Sequence, residues 1–190
     1  MNVSAIILAA GNSSRLGTPK QLILRNGQSL LRRAAETACA SRASEVAIVL
    51  GFDASRMREE LHGLPIRIVE NPRWQSGVST SIIAALEALP ANCQGAMFMV
   101  CDQPGLNTAH LDSLISAFSH TGRSAVASGY ANTIGVPALF DRTLLPELLQ
   151  LTGDRGAKEV LMRHAGELFI VSWPGGALDI DSEADLSLLL

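Results

Sequence analysis

The chain has 190 residues, of which 47% are hydrophobic and 17% charged, and we expect one folded domain over residues 1–190 and no disorder. Its net charge of −3 argues against broad nucleic-acid binding, which needs a basic face, and no apolar run is long enough to span a membrane. Three widely spaced cysteines predict neither a disulfide framework nor a zinc site, and with no basic leader before the first strand we expect a cytoplasmic protein.

Short apolar runs alternate with amphipathic segments, a pattern that predicts an α/β protein with a doubly wound, mostly parallel sheet. The predicted strands are Val3–Leu8, Glu45–Leu50, Ile66–Glu70, Ala96–Cys101, Ser124–Ser128 and Leu168–Ser172. The predicted helices are Ser29–Ala40, Ser55–His62, Ser79–Leu89, Thr108–Ser119, Arg142–Leu151, Ala157–Arg163 and Ser182–Leu190. We expect Ser79 and Thr108 to be N-caps. Residues Ala131–Phe140, which include a glycine and a proline, predict a small antiparallel excursion at the sheet edge.

The loop after the first predicted strand is the most informative segment of the chain. Two alanines and Gly11 end the strand, and a short polar loop that contains Arg15, Gly17 and Lys20 follows. Such small residues let backbone N–H groups approach an anion while the two cations neutralise its charge. The lysine follows a proline and the loop has only two glycines, so neither the P-loop nor the dinucleotide-binding pattern is met. The loop therefore predicts a phosphate cradle for a nucleoside triphosphate.

Two places supply a carboxylate for the Mg²⁺ that chemistry on a triphosphate normally needs. Asp102 follows a buried apolar strand, so it projects from the carboxyl end of that strand towards the same crevice as the first loop. Near the C-terminus, Ser182 and Asp185 fit a capping box, which leaves Asp181 as the second predicted ligand. Asp179 alternates with Asp181 along a short predicted strand and should point the same way, so it is a secondary candidate for this metal site.

Five segments in order resemble the molybdenum cofactor cytidylyltransferases, within the molybdopterin nucleotidyltransferase group. They are Leu8–Lys20, Asn71–Ile82, Cys101–Pro104, Gly153–Lys158 and Asp179–Asp181, and the resemblance runs over essentially the whole chain. It implies a Rossmann-like nucleotidyltransferase fold. It also implies transfer of CMP from CTP to the terminal phosphate of molybdopterin or its molybdenum form, with Mg²⁺ as cofactor and pyrophosphate as product.

The resemblance also implies roles for individual residues. Lys20, Arg15 and Asp102 are the expected catalytic residues, and Asp102 and Asp181 the expected ligands of Mg²⁺. The expected nucleotide-binding residues are Leu8, Ala9, Ala10, Gly11, Arg15, Lys20, Gly77, Ser79 and Ser81. The expected acceptor-binding residues are Gly153, Asp154, Gly156 and Lys158.

No general base is expected, because a phosphate monoester acceptor, whose second pKa is about 6, is largely dianionic near neutral pH. The histidines fit this view, since they lie on predicted helices or their ends, where we expect structural or solvated side chains. They are His62, His110, His120 and His164.

Several alternatives stay open at this point. The Ala9-Ala10 pair and Pro19 favour the cytidylyl over the guanylyl branch of the family, but GTP remains an alternative donor. Tyr130–Phe140 is less polar than in many relatives, so a sugar or polyol phosphate is an alternative acceptor. An alternative of another class is a non-catalytic carrier of a nucleotide-bearing cofactor. The resemblance also implies delivery of the cofactor to a xanthine-dehydrogenase-type molybdenum hydroxylase, so a transient contact with such an enzyme is expected.

Overall fold

The structure is a computed structural model that describes residues 1–12 and 18–177. Its strands are β1 Val3–Leu8, β2 Leu24–Arg25, β3 Gln28–Ser29, β4 Glu45–Leu50, β5 Arg67–Glu70, β6 Gly95–Val100, β7 Ala125–Tyr130, β8 Thr133–Asp141 and β9 Phe169–Ser172. Its helices are α1 Leu30–Cys39, α2 Ala54–Glu60, α3 Val78–Glu87, α4 Thr108–Thr121, α5 Leu145–Leu149 and α6 Ala157–Arg163. Three short 3₁₀ turns cover Lys20–Leu22, Trp74–Ser76 and Pro174–Ala177.

Seven strands form one mostly parallel sheet in the order β5-β4-β1-β6-β8-β7-β9, and β2 and β3 pair as a separate antiparallel ribbon. β1 is central and runs parallel to β4 and β6. β8 is antiparallel to both of its neighbours, β6 and β7, so those two strands run in the same direction. The predicted doubly wound α/β fold is confirmed, and the carboxyl ends of β1, β6 and β7 meet at one edge of the sheet.

The predicted antiparallel segment is present as β8, but its predicted position at a lateral edge of the sheet is wrong. β8 lies inside the sheet, where Ala138 pairs with Phe98 on one side and Ala127 on the other. Residues 138–140 are fully buried, so this segment has no polar face to present at an edge. Pro137, which cannot donate to a ladder, is tolerated here because the pairing of β7 and β8 shifts register between Ala127 and Ser128.

The helices cover both faces of the sheet, because side chains alternate between the faces along each strand. Ile7 of β1 packs in one apolar cluster with residues of α1 and α4, and Ile6 packs in a second cluster with residues of α3, α5 and α6. Within the described residues, none of the helices combines the length and the apolar character needed to cross a bilayer. The predicted helix Ser182–Leu190 lies outside the described residues.

Both expected N-caps are wrong by one or two residues. The cap of α4 is Asn107, whose side chain accepts a hydrogen bond from the His110 backbone N–H at 3.0 Å. The Thr108 hydroxyl instead donates to the Thr37 carbonyl at 3.4 Å. Asparagine satisfies an orphan N–H at least as well as threonine does, so the cap lies one residue before the expected threonine. The cap of α3 is Gly77, two residues before Ser79.

Candidate active site

The loop after β1 and the residues after β6 meet at the same edge of the sheet, because Leu8 pairs with Val100 at the ends of the two strands. This edge, formed by the carboxyl ends of the parallel strands, is where open parallel sheets bind ligands, and we call it the ligand edge. Lys20 Nζ lies 3.0 Å from Asp102 Oδ2 and donates a hydrogen bond to it. The side chains are 19% and 22% exposed, so the pair is accessible to a ligand from the solvent. Two residues 82 positions apart are thus brought together.

The turn that follows β1 has its carbonyl groups engaged by the protein. The Ala10 carbonyl accepts from the Phe52 backbone N–H at 3.0 Å. The carbonyls of Ala9 and Gly11 both accept from Gln21 Nε2, at 2.9 and 2.7 Å. The acceptors of this turn are therefore directed away from any ligand.

The N–H groups at the end of the same turn are left for a ligand. Gly11 and Asn12 are exposed, and their backbone N–H groups donate to no acceptor among the described residues. Ligand-facing backbone donors need a partner, and successive free N–H groups form an anion-binding concavity. The turn is thus a set of donors beside the Lys20 cation, as a phosphate cradle requires.

The loop before α3 packs directly on the loop before α6. Gly77 has φ +104°, and a Cβ there would lie 2.2 Å from the carbonyl carbon of Gly153. Only glycine fits this position, both for its backbone angle and for its space. The Ser79 backbone N–H donates to the Gly153 carbonyl at 3.1 Å. A carbonyl from another loop therefore satisfies an N–H of the first turn of α3 that a capping hydroxyl usually serves.

The two serines of this segment lie below the surface. Ser79 and Ser81 are 1% and 4% exposed. Ser81 Oγ accepts from Asn71 Nδ2 at 3.0 Å, and the same nitrogen donates to Thr80 Oγ1 at 2.8 Å. The side-chain oxygen of the same residue, Asn71 Oδ1, accepts from the Arg73 backbone N–H at 2.9 Å. Asn71 thus ties the end of β5 to the first turn of α3, and direct contact of the two serine hydroxyls with a nucleotide stays a prediction.

The predicted acceptor loop is more open. Asp154 and Lys158 are exposed, and Gly156 is the N-cap of α6. Lys158 forms no ion pair with any described residue, so its charge is accessible. The contact between Gly77 and Gly153 places this loop beside the predicted nucleotide-binding loop.

The described residues supply one of the two predicted metal ligands. Arg15, Asp179 and Asp181 lie outside the described residues, so their roles stay predictions. Residues 1–12 and 18–177 contain no cluster of three or more His, Cys, Asp or Glu side chains suited to a metal. Asp102, partly exposed at the ligand edge, nevertheless fits Mg²⁺, which is commonly held by one or two carboxylates together with the phosphates of the substrate.

Two buried glutamines at the site were not predicted from the sequence. Gln21 and Gln103 are 3% and 4% exposed, and each follows directly after a predicted site residue. Gln103 Nε2 donates to the Val136 carbonyl at 3.2 Å and so ties the loop that bears Asp102 to β8. In the sequence, their positions next to Lys20 and Asp102 are the one indication of a role in the site. Adjacency does not show, however, whether an amide side chain is buried or exposed.

The nearby titratable groups have structural roles. His110 is buried, its Nε2 lies 2.7 Å from Ser128 Oγ, and its ring stacks on Trp173 with centroids 4.6 Å apart. Burial lowers the pKa of His110 to about 4, so the ring is neutral at pH 7. Burial also raises the pKa of the Cys101 thiol, which keeps it protonated and unsuited to nucleophilic chemistry. The expectation that His110 is structural is thus in line with its contacts.

Comparisons with known proteins give the same family as the motifs. Residues 5–168 match the model of the MobA-like NTP transferase domain. The chain is 32% identical over 166 residues to nicotine blue oxidoreductase of Paenarthrobacter nicotinovorans, a match that covers 84% of this chain and 81% of the relative. The crystal structure of Rv0371c from Mycobacterium tuberculosis H37Rv has a TM-score of 0.85 and 28% identity, over 100% of this chain and 97% of that chain. A structure of Rv0371c in complex with manganese has a TM-score of 0.81 and 26% identity, over 100% and 98% of the two chains.

The family match includes the cradle loop, Lys20 and Asp102, and it extends over most of the chain. The predicted resemblance to the molybdopterin nucleotidyltransferase group is confirmed. This chain belongs to the MobA-like NTP transferase family of nucleotidyltransferases.

Proposed function

We propose that this protein transfers CMP from CTP to the terminal phosphate of molybdopterin, or of its molybdenum form, and releases pyrophosphate. The observation that supports this best is the Lys20–Asp102 pair, 3.0 Å apart, beside a turn that presents N–H donors. A cation, a carboxylate and oriented donors are together what a metal-bound triphosphate needs.

The donor nucleotide is proposed from the turn after β1. Ala9 and Ala10 occupy it, as in the cytidylyl branch that this chain resembles, whereas the guanylyl branch of the family typically has two glycines there. Both alanines are nearly fully buried, with Ala9 in the apolar cluster on the α1 face of the sheet and Ala10 in the cluster on the α3 face. CTP is therefore the proposed donor and GTP the first alternative.

The proposed reaction is a substitution at phosphorus that needs little covalent help from the protein. An oxygen of the acceptor phosphate attacks the α-phosphorus of CTP, a new P–O–P linkage forms, and the bond to the β-phosphate breaks to release pyrophosphate. The acceptor is largely dianionic near neutral pH, so no base has to remove a proton. Lys20 binds the triphosphate and neutralises charge that builds up on the leaving group. Asp102, with the predicted ligand Asp181, would hold Mg²⁺, which supplies further neutralisation of the phosphate oxygens.

The acceptor is proposed to enter over the loop before α6. Lys158 is exposed there and has no ion-pair partner among the described residues, so it is available to an anion. The packing of Gly153 on Gly77 joins this loop to the nucleotide side of the site, which keeps donor and acceptor within reach of each other. A molybdenum hydroxylase that receives the product is the proposed transient partner.

The similarity to nicotine blue oxidoreductase favours a second candidate, an oxidoreductase activity. The chain carries no glycine-rich dinucleotide fingerprint, since its first loop has only Gly11 and Gly17. The Lys20–Asp102 pair also has no evident task in hydride transfer. We therefore rank nucleotidyl transfer first and test both activities together.

The test is pyrophosphate release by the purified protein with Mg²⁺ and CTP, GTP, ATP or UTP, each alone, with molybdopterin, and with a sugar or polyol phosphate. Release that needs both CTP and molybdopterin supports the proposal. Release with GTP instead of CTP would assign GTP as the donor. Release only with a sugar or polyol phosphate would assign that compound as the acceptor. Binding of CTP without any turnover favours a carrier and contradicts the proposal. A parallel assay of NAD(P)H oxidation in the presence of nicotine blue tests the oxidoreductase candidate.

A further inference from the structure

We propose that Gln21 is a positioning residue that holds the nucleotide-binding turn with its N–H groups facing the ligand. This inference rests on the proposed nucleotide site and adds a residue to it. A single atom, Gln21 Nε2, donates to the carbonyls of Ala9 and Gly11, at 2.9 and 2.7 Å. Both hydrogens of the amide are thus used on two carbonyls of the same short turn.

Because peptide bonds are planar, the two hydrogen bonds from Gln21 also fix the directions of the neighbouring backbone N–H groups. In a trans peptide the C=O and the next N–H point in opposite directions. Because the Gly11 carbonyl points at Gln21, the Asn12 N–H points away from it, towards the open side of the turn. The bond to the Ala9 carbonyl holds the preceding peptide of the turn, and the Phe52 N–H, which donates to the Ala10 carbonyl, fixes the Gly11 N–H in the same way. The donors of the turn are therefore set before any ligand arrives.

The other end of the same side chain indicates that stability alone does not explain the amide. Gln21 Oε1 is buried and has no hydrogen-bond partner among the described residues. A buried unpaired carbonyl oxygen is costly, and an apolar side chain of the same length, such as methionine, would not have that cost. What methionine could not do is donate to Ala9 and Gly11. The amide is thus present for its donors.

The position of Gln21 also links the turn to the charged pair. Gln21 and Lys20 are neighbours in a 3₁₀ turn that is closed by hydrogen bonds from Leu22 N to the Pro19 carbonyl at 3.0 Å and from Ile23 N to the Lys20 carbonyl at 3.1 Å. Gln21 faces the turn after β1, while Lys20 faces Asp102. One hydrogen-bonded turn therefore sets both the backbone donors and the cation that the nucleotide needs.

The experiment compares Gln21→Met and Gln21→Glu with the wild-type protein. The dissociation constant of CTP with Mg²⁺ is measured by titration calorimetry, KM and kcat by pyrophosphate release, and the melting temperature by scanning calorimetry. Gln28→Met is the matched control, because Gln28 donates to Glu36 at 2.8 Å near the start of α1 and takes no part in the proposed site. Its CTP affinity is expected to equal that of the wild type.

We expect Gln21→Met to stay folded, with a melting temperature only modestly below that of the wild type, because the Ala9 and Gly11 carbonyls lose their donor while the unpaired Oε1 is removed. It should weaken CTP binding by about tenfold or more, with a matching rise in KM and a smaller change in kcat. In Gln21→Glu, an ionised carboxylate would face two carbonyls, and only its protonated form can donate to one of them. Its CTP affinity relative to the wild type should therefore recover as the pH falls from about 8 to about 5.5, since burial raises the pKa of a carboxyl group.

The outcomes separate this inference from the proposed function. Wild-type protein that binds no nucleotide overturns both. Wild-type protein that binds CTP, with Gln21→Met binding it equally well, overturns the positioning role alone. A large fall in melting temperature for Gln21→Met, with no pH-dependent recovery in Gln21→Glu, assigns Gln21 a purely structural role and also overturns the inference.

Discussion

Gly77 and Gly153 touch backbone to backbone, so closely that a Cβ on Gly77 would stand 2.2 Å from the carbonyl carbon of Gly153. This contact joins the loops that precede α3 and α6, and with them the two halves of the proposed site. It also makes residue 77 a sensitive point for mutation.

Gly77→Ala is expected to lower the free energy of unfolding by at least about 2 kcal/mol, from backbone strain and overpacking together. The backbone of Gly77, at φ +104° and ψ 167°, lies in a region that is essentially restricted to glycine. Urea denaturation measures the change. Gly166→Ala is the control, because a Cβ on Gly166 would meet no atom within 4 Å and the φ of this residue is not in the left-handed region. Equal stability of the two variants would contradict the packing described for Gly77.

Lys20→Ala and Asp102→Ala are each expected to reduce the rate of nucleotidyl transfer by at least about a hundredfold, as removal of a positioned charge at a reacting phosphate typically does. Their stability should change by less than about 1 kcal/mol, because the ion pair is partly exposed. Steady-state kinetics and urea denaturation measure the two effects. Arg58→Ala, which breaks the exposed pair of Arg58 with Glu70, should keep full activity. Turnover like that of the wild type in either site variant would rule out the assignment.

Removal of divalent metal is expected to abolish transfer without unfolding the protein. The described residues hold no cluster of metal-ligating side chains, so the fold does not depend on a structural metal in that part of the chain. Addition of EDTA should therefore stop pyrophosphate release and leave the circular dichroism spectrum unchanged, and excess Mg²⁺ should restore the rate. Loss of the far-UV signal on chelation would indicate a structural metal instead.

His110 is expected to make the fold less stable in mild acid. Its folded-state pKa of about 4 is below its ordinary value of 6.5, so between these pH values the unfolded chain binds more protons than the folded chain. Stability that is complete above about pH 6.5 is therefore lost as the pH falls towards 4. His110→Gln, which keeps a nitrogen near Ser128 Oγ, should lose less stability between pH 7 and pH 5 than the wild type. The exposed His120→Gln should behave like the wild type, and an identical acid response of all three proteins would contradict the prediction.

The sequence predicted the strands and helices that have a strong apolar pattern, and it missed what depends on distant partners. β1 and β4 have the predicted bounds, because each is an apolar run that ends at polar or small residues. The internal position of β8 depends on pairing with β6 and β7 at once. Only its residues 138–140 form the continuous apolar run of a central strand, whereas Gly135 and Pro137 are typical of an edge, so the local pattern is mixed. The same limit applies to the site. Lys20 and Asp102 were predicted from motifs, whereas Gln21 became visible only when its carbonyl partners were located.

The reversed direction of β8 has a consequence for how this family can diversify. Because β8 runs against its neighbours, its first residues lie at the ligand edge, near the carboxyl ends of β6 and β7. The connection from β7 is a two-residue turn, Ala131-Asn132, with both residues at positive φ, and such exposed turns tolerate insertions and substitutions. Evolution can therefore lengthen this hairpin tip or change its charge, and so alter what borders the far side of the site, without disturbing the β1–β6 pairing that supports Lys20 and Asp102.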